Sequence, residues 1–565
     1  MRTVPRKLVG AACNYVVFRR AFSQRANGIV PELSVPVLIV GAGPVGLTLS
    51  ILLAKLGIKC SVVEKKSEFL QHPQAHFINN RTMEIFRKIG SLSTDIERLQ
   101  PPIDQWRKFI YCTSLTGLLL GEVDHLHPQD LARNHSPTWV AHFSQHRLLS
   151  LLQLQAEQLG IHIYKSQEFC LNNLGHINLG YECVSIEQGS ENVKARFSRT
   201  DTNTKDLLTI NCSFLIGADG ASSKVRKLLN IQMEGEEALQ NLVSIHFFSM
   251  DLANHLIRNR PGMLYFVFNT KAIGVFVAHD LRSGEFIVQV PFYPPQQTFE
   301  AFTIDACKTI ICDLAGTTDI HIDIKAVKQW IMHAQVAESY ISRNGRVILA
   351  GDAAHRFPPA GGFGMNTGIQ DAHNLAWKIG AVLRGVASHN LLRTYESERK
   401  PVAKANTALS LENFKAAMSI PSILGLDPSS ARFIHEQVNG GIGSLLPHQV
   451  QKNIMEGIFA LGRMQVGPLV LNSYNPLGSI RLKKLKHMLG EGRSLQLQFP
   501  AEDLGFRYHS GALLINEEEM QSYTDEHYVP GRRNEYKPVC APGARIPHSN
   551  IRLLKSDFTK SDEAS

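Results

Sequence analysis

The first part of the chain alternates long apolar runs with short turns. Residues 35–40 form a continuous apolar run rich in β-branched side chains, which predicts a strand buried on both faces. A glycine-rich turn at 41–46 and an apolar helix at 47–56 follow, and a second strand at 59–63 ends at Glu64. This alternation predicts an α/β unit built on a parallel sheet.

The turn at 41–46 has the spacing Gly-x-Gly-x-x-Gly. Gly41 would permit the tight turn, Gly43 would let a pyrophosphate approach the backbone, and Gly46 would let helix and strand pack closely. The start of the helix offers free N–H groups and a positive dipole end to phosphates. Glu64 could accept hydrogen bonds from an adenosine ribose. The pattern predicts dinucleotide binding and leaves open whether the ligand is FAD or NAD.

Two later strands also run into acidic turns. One apolar run leads into a Gly-Ala-Asp-Gly turn that contains Asp219 and Gly220, and another leads into Gly351 and Asp352. A carboxylate at the end of a strand can bind a polyol hydroxyl. Either turn alone could be an ordinary turn. Together, downstream of the glycine pattern, they favour a nucleotide cofactor with a polyol chain.

A loop rich in proline and glycine follows the second acidic turn. It covers residues 358–366 and leads into a predicted helix at 367–379. A glycine-rich loop before a helix presents backbone N–H groups to a flat ring edge or to a phosphate. The loop is therefore a candidate binding element.

The pattern changes between residues 236 and 340. Apolar stretches at 243–248, 263–268, 273–279 and 285–292 are separated by turns, which predicts an antiparallel sheet. Aromatic side chains on these strands could line a substrate pocket or form the core of the sheet, and core is the favoured interpretation. These are Tyr265, Phe266, Phe268 and Phe292.

Composition and charge narrow the class of protein. The chain has 565 residues, 44% of them hydrophobic, and nine cysteines without a Cys-x-x-Cys pair, which argues against disulfide scaffolds and zinc modules.

The net charge is +9, and six of the surplus positive charges lie in residues 1–30, which contain no acid. That composition predicts an organelle presequence, mitochondrial or alternatively plastid. Residues 31–565 carry a net charge of only +3 and show no patch of basic and aromatic residues that would predict binding of nucleic acid. No apolar run is a convincing transmembrane span.

In combination, these motifs resemble the class A flavoprotein monooxygenases, the para-hydroxybenzoate hydroxylase superfamily. The resemblance covers about residues 34–410 and is closest to the phenol hydroxylase-like group. It rests on the glycine pattern, the two acidic turns and a set of further matching segments. These are residues 81–84, Gln145 before a helix at 148–158, residues 369–378 and residues 395–401.

The resemblance assigns roles to particular residues. Gly41, Gly43 and Gly46 would face the pyrophosphate of FAD, and Glu64 the adenosine ribose. Asp352, with Gly351, would bind the ribityl chain. Relatives commonly carry Arg in the loop where this chain has Gln74, so either Arg81 supplies the missing charge or FAD binds more loosely. Gln145 would lie near the flavin, and the turn of Asp219 and Gly220 would contribute to the binding of FAD and the use of the nicotinamide.

The loop before the predicted helix at 367–379 would line the isoalloxazine ring of the flavin, with Pro359 and Gly362 at the reacting face. The residues of this loop are Pro359, Gly361, Gly362, Gly364, Met365 and Asn366.

The resemblance also implies an activity. NADPH or NADH would reduce the flavin, which would take up O2 as a C4a-hydroperoxide and hydroxylate a small aromatic, phenol-like substrate. Tyr265 is a candidate for polarising the phenol. A ubiquinone-pathway ring hydroxylase and a non-catalytic FAD-binding scaffold are the alternatives. No metal site is predicted, since the histidines lack ligand spacing.

The predicted architecture is an α/β, Rossmann-like FAD-binding domain with an inserted, mainly antiparallel substrate sheet and a helical C-terminal region. Residues 503–508 and 542–548 resemble the entry to a thioredoxin-like extension, which is expected to be truncated here. The helical region would close the site or form the surface of a homodimer. The expected boundaries are 1–30 presequence, 34–235 and 341–410 FAD-binding domain, 236–340 substrate sheet, 411–500 helical region and 501–565 extension.

Overall fold

The computed structural model of the protein describes residues 32–126, 135–165, 175–201, 207–426, 448–513, 536 and 538–549. The predicted presequence at 1–30 and the end of the predicted extension lie outside these ranges. The strands, in chain order, are β1 (Glu32–Val40), β2 (Cys60–Glu64), β3 (Phe77–Ile78), β4 (Lys108–Cys112), β5 (Leu119–Asp124), β6 (Ala141–His142), β7 (Ile161–Lys165), β8 (Gly175–Leu179), β9 (Tyr181–Gln188), β10 (Val193–Arg199), β11 (Leu207–Gly217), β12 (Met233–Phe248), β13 (Leu264–Phe268), β14 (Ile273–Asp280), β15 (Glu285–Pro291), β16 (Asp323–Ala337), β17 (Val347–Leu349) and β18 (His355–Arg356).

The helices surround the two large sheets and form most of the C-terminal region. Within the described ranges, every helix is too short or too polar to serve as a membrane span. In chain order they are α1 (Pro44–Lys55), α2 (Asn80–Phe86), α3 (Leu92–Leu99), α4 (Gln145–Gln158), α5 (Lys224–Leu228), α6 (Met250–Asn259), α7 (Ile304–Ala315), α8 (Phe363–Leu383), α9 (Asn390–Ile423), α10 (His448–Met464), α11 (Pro476–Gly490) and α12 (Pro500–Asp503).

The first sheet has the order β7-β8-β2-β1-β11-β10-β9, and β17 pairs with the end of β11. The pairs from β7 to β11, and the pair of β11 with β17, are parallel, whereas β9 and β10 are antiparallel additions. β1 carries apolar side chains in succession because it lies inside the sheet, where its side chains share one buried cluster with residues of α1 and α8. This confirms the predicted strand–turn–helix–strand unit and the Rossmann-like fold class.

The second sheet is also eight-stranded, with the order β18-β16-β12-β15-β14-β13-β4-β5. β12, β13, β14, β15 and β16 are joined by antiparallel pairs. The sequence pattern predicts the first four of these strands in an antiparallel sheet, and β16 was not predicted as a strand. β4 and β5 come from before residue 236, however, and β4 pairs in parallel with β13. Periodicity identifies a strand but not its partner, so the predicted boundaries of the sheet missed these two strands.

The two faces of the second sheet pack against different partners. One face carries Phe109, Tyr111, Phe266 and Phe268 and packs with Phe77 of the first domain and with helices α9 and α11. The other face packs against α6 and α7. The two faces are therefore distinct environments, and only the first reaches the glycine-rich loop at 358–366, through Ala360.

Candidate functional site

The carboxyl ends of four neighbouring strands form the base of the candidate site. The N–H of Gly41 donates to the carbonyl of Val63 at 2.8 Å, and the N–H of Ala218 donates to the carbonyl of Val40 at 2.8 Å. The N–H of Ala350 donates to the carbonyl of Gly217 at 2.9 Å. These bonds align the ends of β2, β1, β11 and β17. They bring the glycine turn and both acidic turns to one edge of the sheet.

Two glycines of the turn are required by close backbone contacts. A Cβ on Gly41, whose φ is +109°, would lie 2.3 Å from the carbonyl oxygen of Ala218. A Cβ on Gly46 would lie 2.0 Å from the carbonyl oxygen of Gly41. Larger residues would therefore push the strand ends and α1 apart. These contacts explain two of the predicted roles by packing alone.

Gly43 is in a different position. Among the described residues, no atom lies within 4 Å of the place where its Cβ would be. Gly43 is the N-cap of α1, and no described side chain caps this helix end. The N-terminus of α1 therefore faces open space with uncompensated N–H groups, which is the environment that a phosphate requires.

Glu64 lies beside this turn at the end of β2. Its Oε2 accepts from the N–H of Ala42 at 2.9 Å, and its Oε1 accepts from the N–H of Lys66 at 3.1 Å. The side chain is only half-buried, so it keeps accepting capacity on its outer side. Its predicted contact with an adenosine ribose stays a prediction.

The second acidic turn and α8 lie directly against α1. A Cβ on Gly368 would lie 2.6 Å from Cγ2 of Val45 and 3.0 Å from Cα of Gly351. This packing joins segments that lie more than three hundred residues apart in sequence. It brings the N-termini of α1 and α8 to the same edge of the sheet as Asp352.

Asp352 is the carboxylate that is most available for a ligand. Protein surrounds Asp352 on several sides, but its side chain is exposed to solvent. None of the described residues donates a hydrogen bond to its carboxylate. The surrounding protein raises the pKa of Asp352, and the charges of His355 and Arg356 offset part of that effect. The nearest atom to a Cβ on Gly364 is Oδ1 of Asp352, at 3.9 Å. An available carboxylate and an uncapped helix start thus face the same cleft.

Asp219 has its hydrogen-bonding capacity taken up by the protein. Its carboxylate accepts from Oγ of Ser223 at 2.5 Å and from the N–H groups of Lys224 and Val225 at 2.6 Å and 3.1 Å. Burial raises the pKa of Asp219, and these hydrogen bonds offset part of the rise. Asp219 caps α5, which is a structural role. Gly220 follows with φ +79°, and a cofactor contact by either residue stays a prediction.

The glycine-rich loop before α8 is held by an asparagine pair. Nδ2 of Asn366 donates to the carbonyls of Phe77 and Gly362 at 2.9 Å and 2.6 Å. Its Oδ1 accepts from the N–H of Asn79 at 3.0 Å. Gly362 is the N-cap of α8 in the left-handed region, with φ +65°. Asn366 therefore shapes the loop through the protein, while Gly361, Gly364 and Met365 lie beside it and Pro359 is exposed.

Gln145 and Gln74 both belong to the surroundings of the loop that precedes β3. Oε1 of Gln145 accepts from the N–H of Ala75 at 3.3 Å, and the N–H of Gln145 donates to the carbonyl of Ala75 at 2.8 Å. Gln74 is exposed. Gln145 thus holds this loop in place, and its predicted proximity to a flavin is compatible with that role.

Arg81 forms an ion pair that the C-terminal segment shares. Its Nη1 lies 3.0 Å from Oε2 of Glu84, and Nε of Arg545 also donates to that oxygen at 2.9 Å. Although burial opposes ionisation, the bonds from Arg545, Ser136 and Arg81 lower the pKa of Glu84. One carboxylate between two guanidinium groups leaves a net positive charge. Arg81 can therefore still attract a phosphate, and its role toward the cofactor stays a prediction.

Two networks that the sequence patterns did not reveal hold the site together. Asp371 accepts from the N–H of Gly351 at 3.1 Å, from Nε2 of His355 at 2.8 Å and from Nε of Arg399 at 2.7 Å. The side chains of Asp371, His355 and Arg399 are fully buried. Although burial opposes ionisation, Arg399 and His355 lower the pKa of Asp371. The family resemblance marked segments 369–378 and 395–401, but no pattern indicated that this buried ion pair fixes the Gly351 turn.

The second network connects the C-terminal segment to the glycine-rich loop. Nδ2 of Asn79 donates to Oδ1 of Asp503 at 2.5 Å, and the rings of Phe363 and Phe499 lie 5.1 Å apart. The two motifs at 503–508 and 542–548 contact each other, because the N–H of Tyr508 donates to the carbonyl of Gly543 at 3.0 Å. The C-terminal segment is therefore part of the wall around the site.

Tyr265 does not lie at the site. It is fully buried on the face of the second sheet that packs against α6 and α7, and its hydroxyl donates to the carbonyl of Arg260 at 3.0 Å. This is the core interpretation of the residue, and it does not support a role in polarising a substrate. Phe266 and Phe268 are on the opposite face, whereas Phe292 shares the face of Tyr265. Tyr111, which stacks on Phe266 with centroids 4.7 Å apart, is a polar aromatic residue on the site-facing side.

Several histidines line the boundary between the two sheets. Nδ1 of His76 lies 3.2 Å from Nδ1 of His142, and Nδ1 of His279 lies 3.0 Å from Oγ of Ser144. Burial lowers the pKa of His142 to about 4 and that of His76 well below its usual value. Neutral imidazoles near pH 7 suit a packed, hydrogen-bonded boundary between the domains.

The residues at the edge of the first sheet provide what FAD binding requires. The open space at Gly43, the uncapped start of α1, the available carboxylate of Asp352 and the start of α8 meet at one sheet edge. They supply a phosphate site, an acceptor for polyol hydroxyls and backbone donors for a ring edge. The residues fit the cofactor. The fold and this site define a dinucleotide-binding α/β protein with a second, aromatic-faced sheet.

Comparison with known proteins identifies the family. Residues 34–410 match the FAD binding domain family, and the chain belongs to it. This confirms the predicted resemblance to class A flavoprotein monooxygenases. The chain is 33% identical to 4-methyl-5-nitrocatechol 5-monooxygenase of Burkholderia over 93% of this chain and 80% of that protein.

Further similarities cover between about two thirds and nine tenths of the chain. The chain is 33% identical to tetracenomycin A2 monooxygenase-dioxygenase of Streptomyces glaucescens over 66% of each chain. The chain spans 62% to 66% of the length of this and two other Streptomyces relatives. The structure of the flavin-dependent monooxygenase PieE, in complex with FAD and substrate, matches with a TM-score of 0.73 at 27% identity, over 92% of this chain and 81% of that one.

Proposed function

We propose that this protein is an FAD-dependent monooxygenase that hydroxylates an aromatic, phenol-like substrate. The reaction would consume O2 and NADPH or NADH, place one oxygen atom in the product and release the other as water. The observation that carries the proposal is the position of the cofactor cradle at Asp352. It opens beside the loop whose Ala360 packs with the aromatic face of the second sheet.

Each part of the site has a task under this proposal. The start of α1 at Gly43 would hold the pyrophosphate, Asp352 would accept hydrogen bonds from the ribityl hydroxyls, and the loop at 361–366 would hold the flavin ring. FAD, when bound and reduced, supplies the activation of oxygen. The apolar side chains around Phe77, Tyr111 and Phe266 would exclude water and favour a flat aromatic substrate.

The relatives support this proposal over its alternatives. Their names denote monooxygenases that act on aromatic compounds, among them a nitrocatechol and a tetracenomycin. A ring hydroxylase of the ubiquinone pathway and a non-catalytic scaffold are not favoured by these names. We infer that the substrate is an aromatic or polycyclic phenol.

The test begins with the purified chain. We expect a flavin absorption spectrum, oxidation of NADPH or NADH stimulated by some members of a panel of mono- and polycyclic phenols, and one ¹⁸O atom from ¹⁸O2 in the product. Bound flavin without substrate-stimulated oxidation of either nicotinamide would contradict the proposed activity. Absence of flavin binding would contradict both the activity and the assignment of the cradle.

Gly43→Asp provides a matched variant for this test. The space that its Cβ would enter is open, so the chain should fold, and an acid at the start of α1 favours the helix. The same carboxylate would occupy and repel the phosphate site. We expect at least a hundredfold weaker FAD binding with an unchanged unfolding midpoint of the apoprotein. Full FAD affinity in this variant would place the pyrophosphate elsewhere.

We also propose import into the mitochondrion, with a plastid as the alternative, on the composition of residues 1–30. A fluorescent fusion of the full chain, compared with one that lacks residues 1–30, tests this subcellular localisation. A homodimer is our hypothesis for the assembly, and sedimentation velocity across a range of concentrations tests it.

A further inference from the structure

The end of α10, the following turn and the start of α11 form a helix–turn–helix segment, here called the hairpin tip (residues 461–480). Large apolar side chains of this segment lie in solvent rather than against the protein. They are Leu461, Met464, Leu469, Tyr474, Leu477 and Ile480, with exposed fractions of 65%, 60%, 87%, 97%, 60% and 63%. A cluster of this kind usually marks an interaction surface.

The hairpin tip is held in a defined conformation. Nη2 of Arg481 donates to Oε1 of Gln465 at 3.1 Å across the hairpin. Oδ1 of Asn472 accepts from the N–H groups of Tyr474 and Asn475 at 2.9 Å and 2.8 Å, and Oδ1 of Asn475 caps α11. These bonds order the turn that carries Leu469 and Tyr474 and connect it to the start of α11.

The inner side of the same segment is anchored in the protein core. Val466, Leu471, Leu485 and Leu489 are buried in the cluster that covers one face of the second sheet. The exposure of Leu469 and Tyr474 is therefore not a consequence of a detached helix. The hairpin has a buried apolar side and a separate, outward apolar end.

The charge around the hairpin tip selects the kind of partner. Residues 465–490 contain no Asp or Glu, and they carry Arg481, Lys483, Lys484 and Lys486. The three lysines are exposed on α11. A second copy seated by twofold symmetry would bring these like charges together, which disfavours self-association through this surface. Exposed leucine and tyrosine next to lysines are the composition of segments that lie in the interface of anionic membranes.

We propose that the hairpin tip docks the protein on the surface of a membrane that contains anionic phospholipids. Leu469, Tyr474 and Leu477 enter the headgroup region, and Lys483, Lys484 and Lys486 remain at the level of the phosphates. Tyrosine suits this depth because its ring is apolar and its hydroxyl stays hydrated. The contact is peripheral and reversible. It does not depend on the proposed monooxygenase activity.

Vesicle cosedimentation of the full chain tests the proposal. We expect binding to phosphatidylcholine vesicles with about 30% phosphatidylserine, weak binding to pure phosphatidylcholine and loss of binding at high salt, because lysines contribute by charge. Lys483→Ala with Lys484→Ala should weaken binding about thirtyfold, since each lysine near an anionic surface contributes about fivefold. Leu469→Ser with Leu477→Ser should weaken it at least tenfold.

Matched controls separate the hairpin tip from the rest of the surface. Lys59→Ala with Lys308→Ala removes two exposed lysines elsewhere, and Val386→Ser removes an apolar side chain that is 79% exposed just after α8. Comparison within the same full chain cancels any contribution of the basic residues 1–30. If the tip variants bind as the controls do, the proposal is overturned.

A local readout completes the experiment. Tyr474→Trp should show a blue-shifted emission component on anionic vesicles, and Val386→Trp should not. Unshifted emission from the Tyr474→Trp variant in the presence of bound vesicles would also overturn the proposal. So would a loss of self-association in the Leu469→Ser, Leu477→Ser variant without any change in vesicle binding, because the surface would then be a contact between copies or with a protein.

Discussion

The two acidic turns of the first sheet look alike in sequence and differ in structure. Asp219 and Asp352 follow the adjacent parallel strands β11 and β17, and desolvation by the surrounding protein raises the pKa of both. Asp219 is used by its own turn, where it caps α5. Asp352 remains exposed in a cleft, and none of the described residues donates a hydrogen bond to it. One carboxylate is therefore structural, and the other is available to a ligand.

The turns also differ in how they are supported. The Asp219 turn is local, since its partners Ser223, Lys224 and Val225 follow within six residues. The Gly351–Asp352 turn relies on Asp371 and Arg399 from two later helices. Asp352 accepts no hydrogen bond from its own turn among the described residues, so the support of this turn comes from elsewhere in the chain.

Loss of the remote support should have the largest effect. Arg399→Met leaves Asp371 buried without its main partner, and we expect a loss of about 3–5 kcal/mol in the free energy of unfolding. Urea unfolding of the apoprotein measures it. Arg393→Met, an exposed position on the same helix, should change stability by less than about 0.5 kcal/mol. Similar effects for both variants would show that the Gly351 turn does not depend on the network.

Removal of the available carboxylate should act on the cofactor and not on the fold. Asp352→Ala deletes charged hydrogen bonds worth about 1.5–3 kcal/mol, so the dissociation constant of FAD should rise about tenfold to a hundredfold. Quenching of flavin fluorescence in a titration measures it. The apoprotein should unfold at the same urea concentration or a higher one, and a marked loss of stability would contradict the ligand-binding role.

Removal of the capping carboxylate should have the opposite pattern. Asp219→Ala leaves the N–H groups of Lys224 and Val225 at the start of α5 without their acceptor, and we expect a loss of about 1–2 kcal/mol in unfolding free energy. The FAD dissociation constant should change less than threefold in the same titration. A larger change in FAD affinity than in stability would support the predicted cofactor role of Asp219 over the capping role.

The smallest effect should appear in the pH dependence of stability. The pKa of Asp352 is raised in the folded apoprotein, so the folded state binds more protons between the unfolded value of about 3.9 and the folded one. The contribution of this group to stability therefore falls as pH rises through that window. Asp352→Asn should remove the fall and leave the apoprotein more stable than wild type at pH 7. Parallel stability profiles of the two proteins between pH 4 and 7 would contradict the pKa shift.

Much of the first domain could be predicted because its signals are local. The apolar run, the glycine spacing and Glu64 identify β1, α1 and β2, because a buried strand and a phosphate turn need particular residues at fixed spacing. The strands at 263–268 and 273–279 were also predicted. β4 and β5 were not assigned to the second sheet. They pair with each other, and β4 joins the sheet through β13, which lies more than a hundred residues away.

The side chains of the second sheet show where local patterns end. Alternation predicts that Tyr265 and Phe266 point to opposite faces, but it does not predict which face meets the glycine-rich loop. The structure places Phe266 on the face shared with Ala360 and Tyr265 on the other. The prediction for Tyr265 failed for this reason, and Tyr111, which has no motif around it, was not identified.

The sequence by itself determined the strand–turn–helix unit, the chemical character of its glycines and the order of the two acidic turns, since these depend on neighbours within a few residues. The tertiary structure alone decided which of the two carboxylates is available to bind a ligand. Asp219 and Asp352 have the same chemistry, and only the contacts of α5, α8 and α9 determine their hydrogen-bonding partners. The same holds for Asp503, Arg545 and the hairpin tip, because their roles follow from distant segments that packing brings together or leaves in solvent.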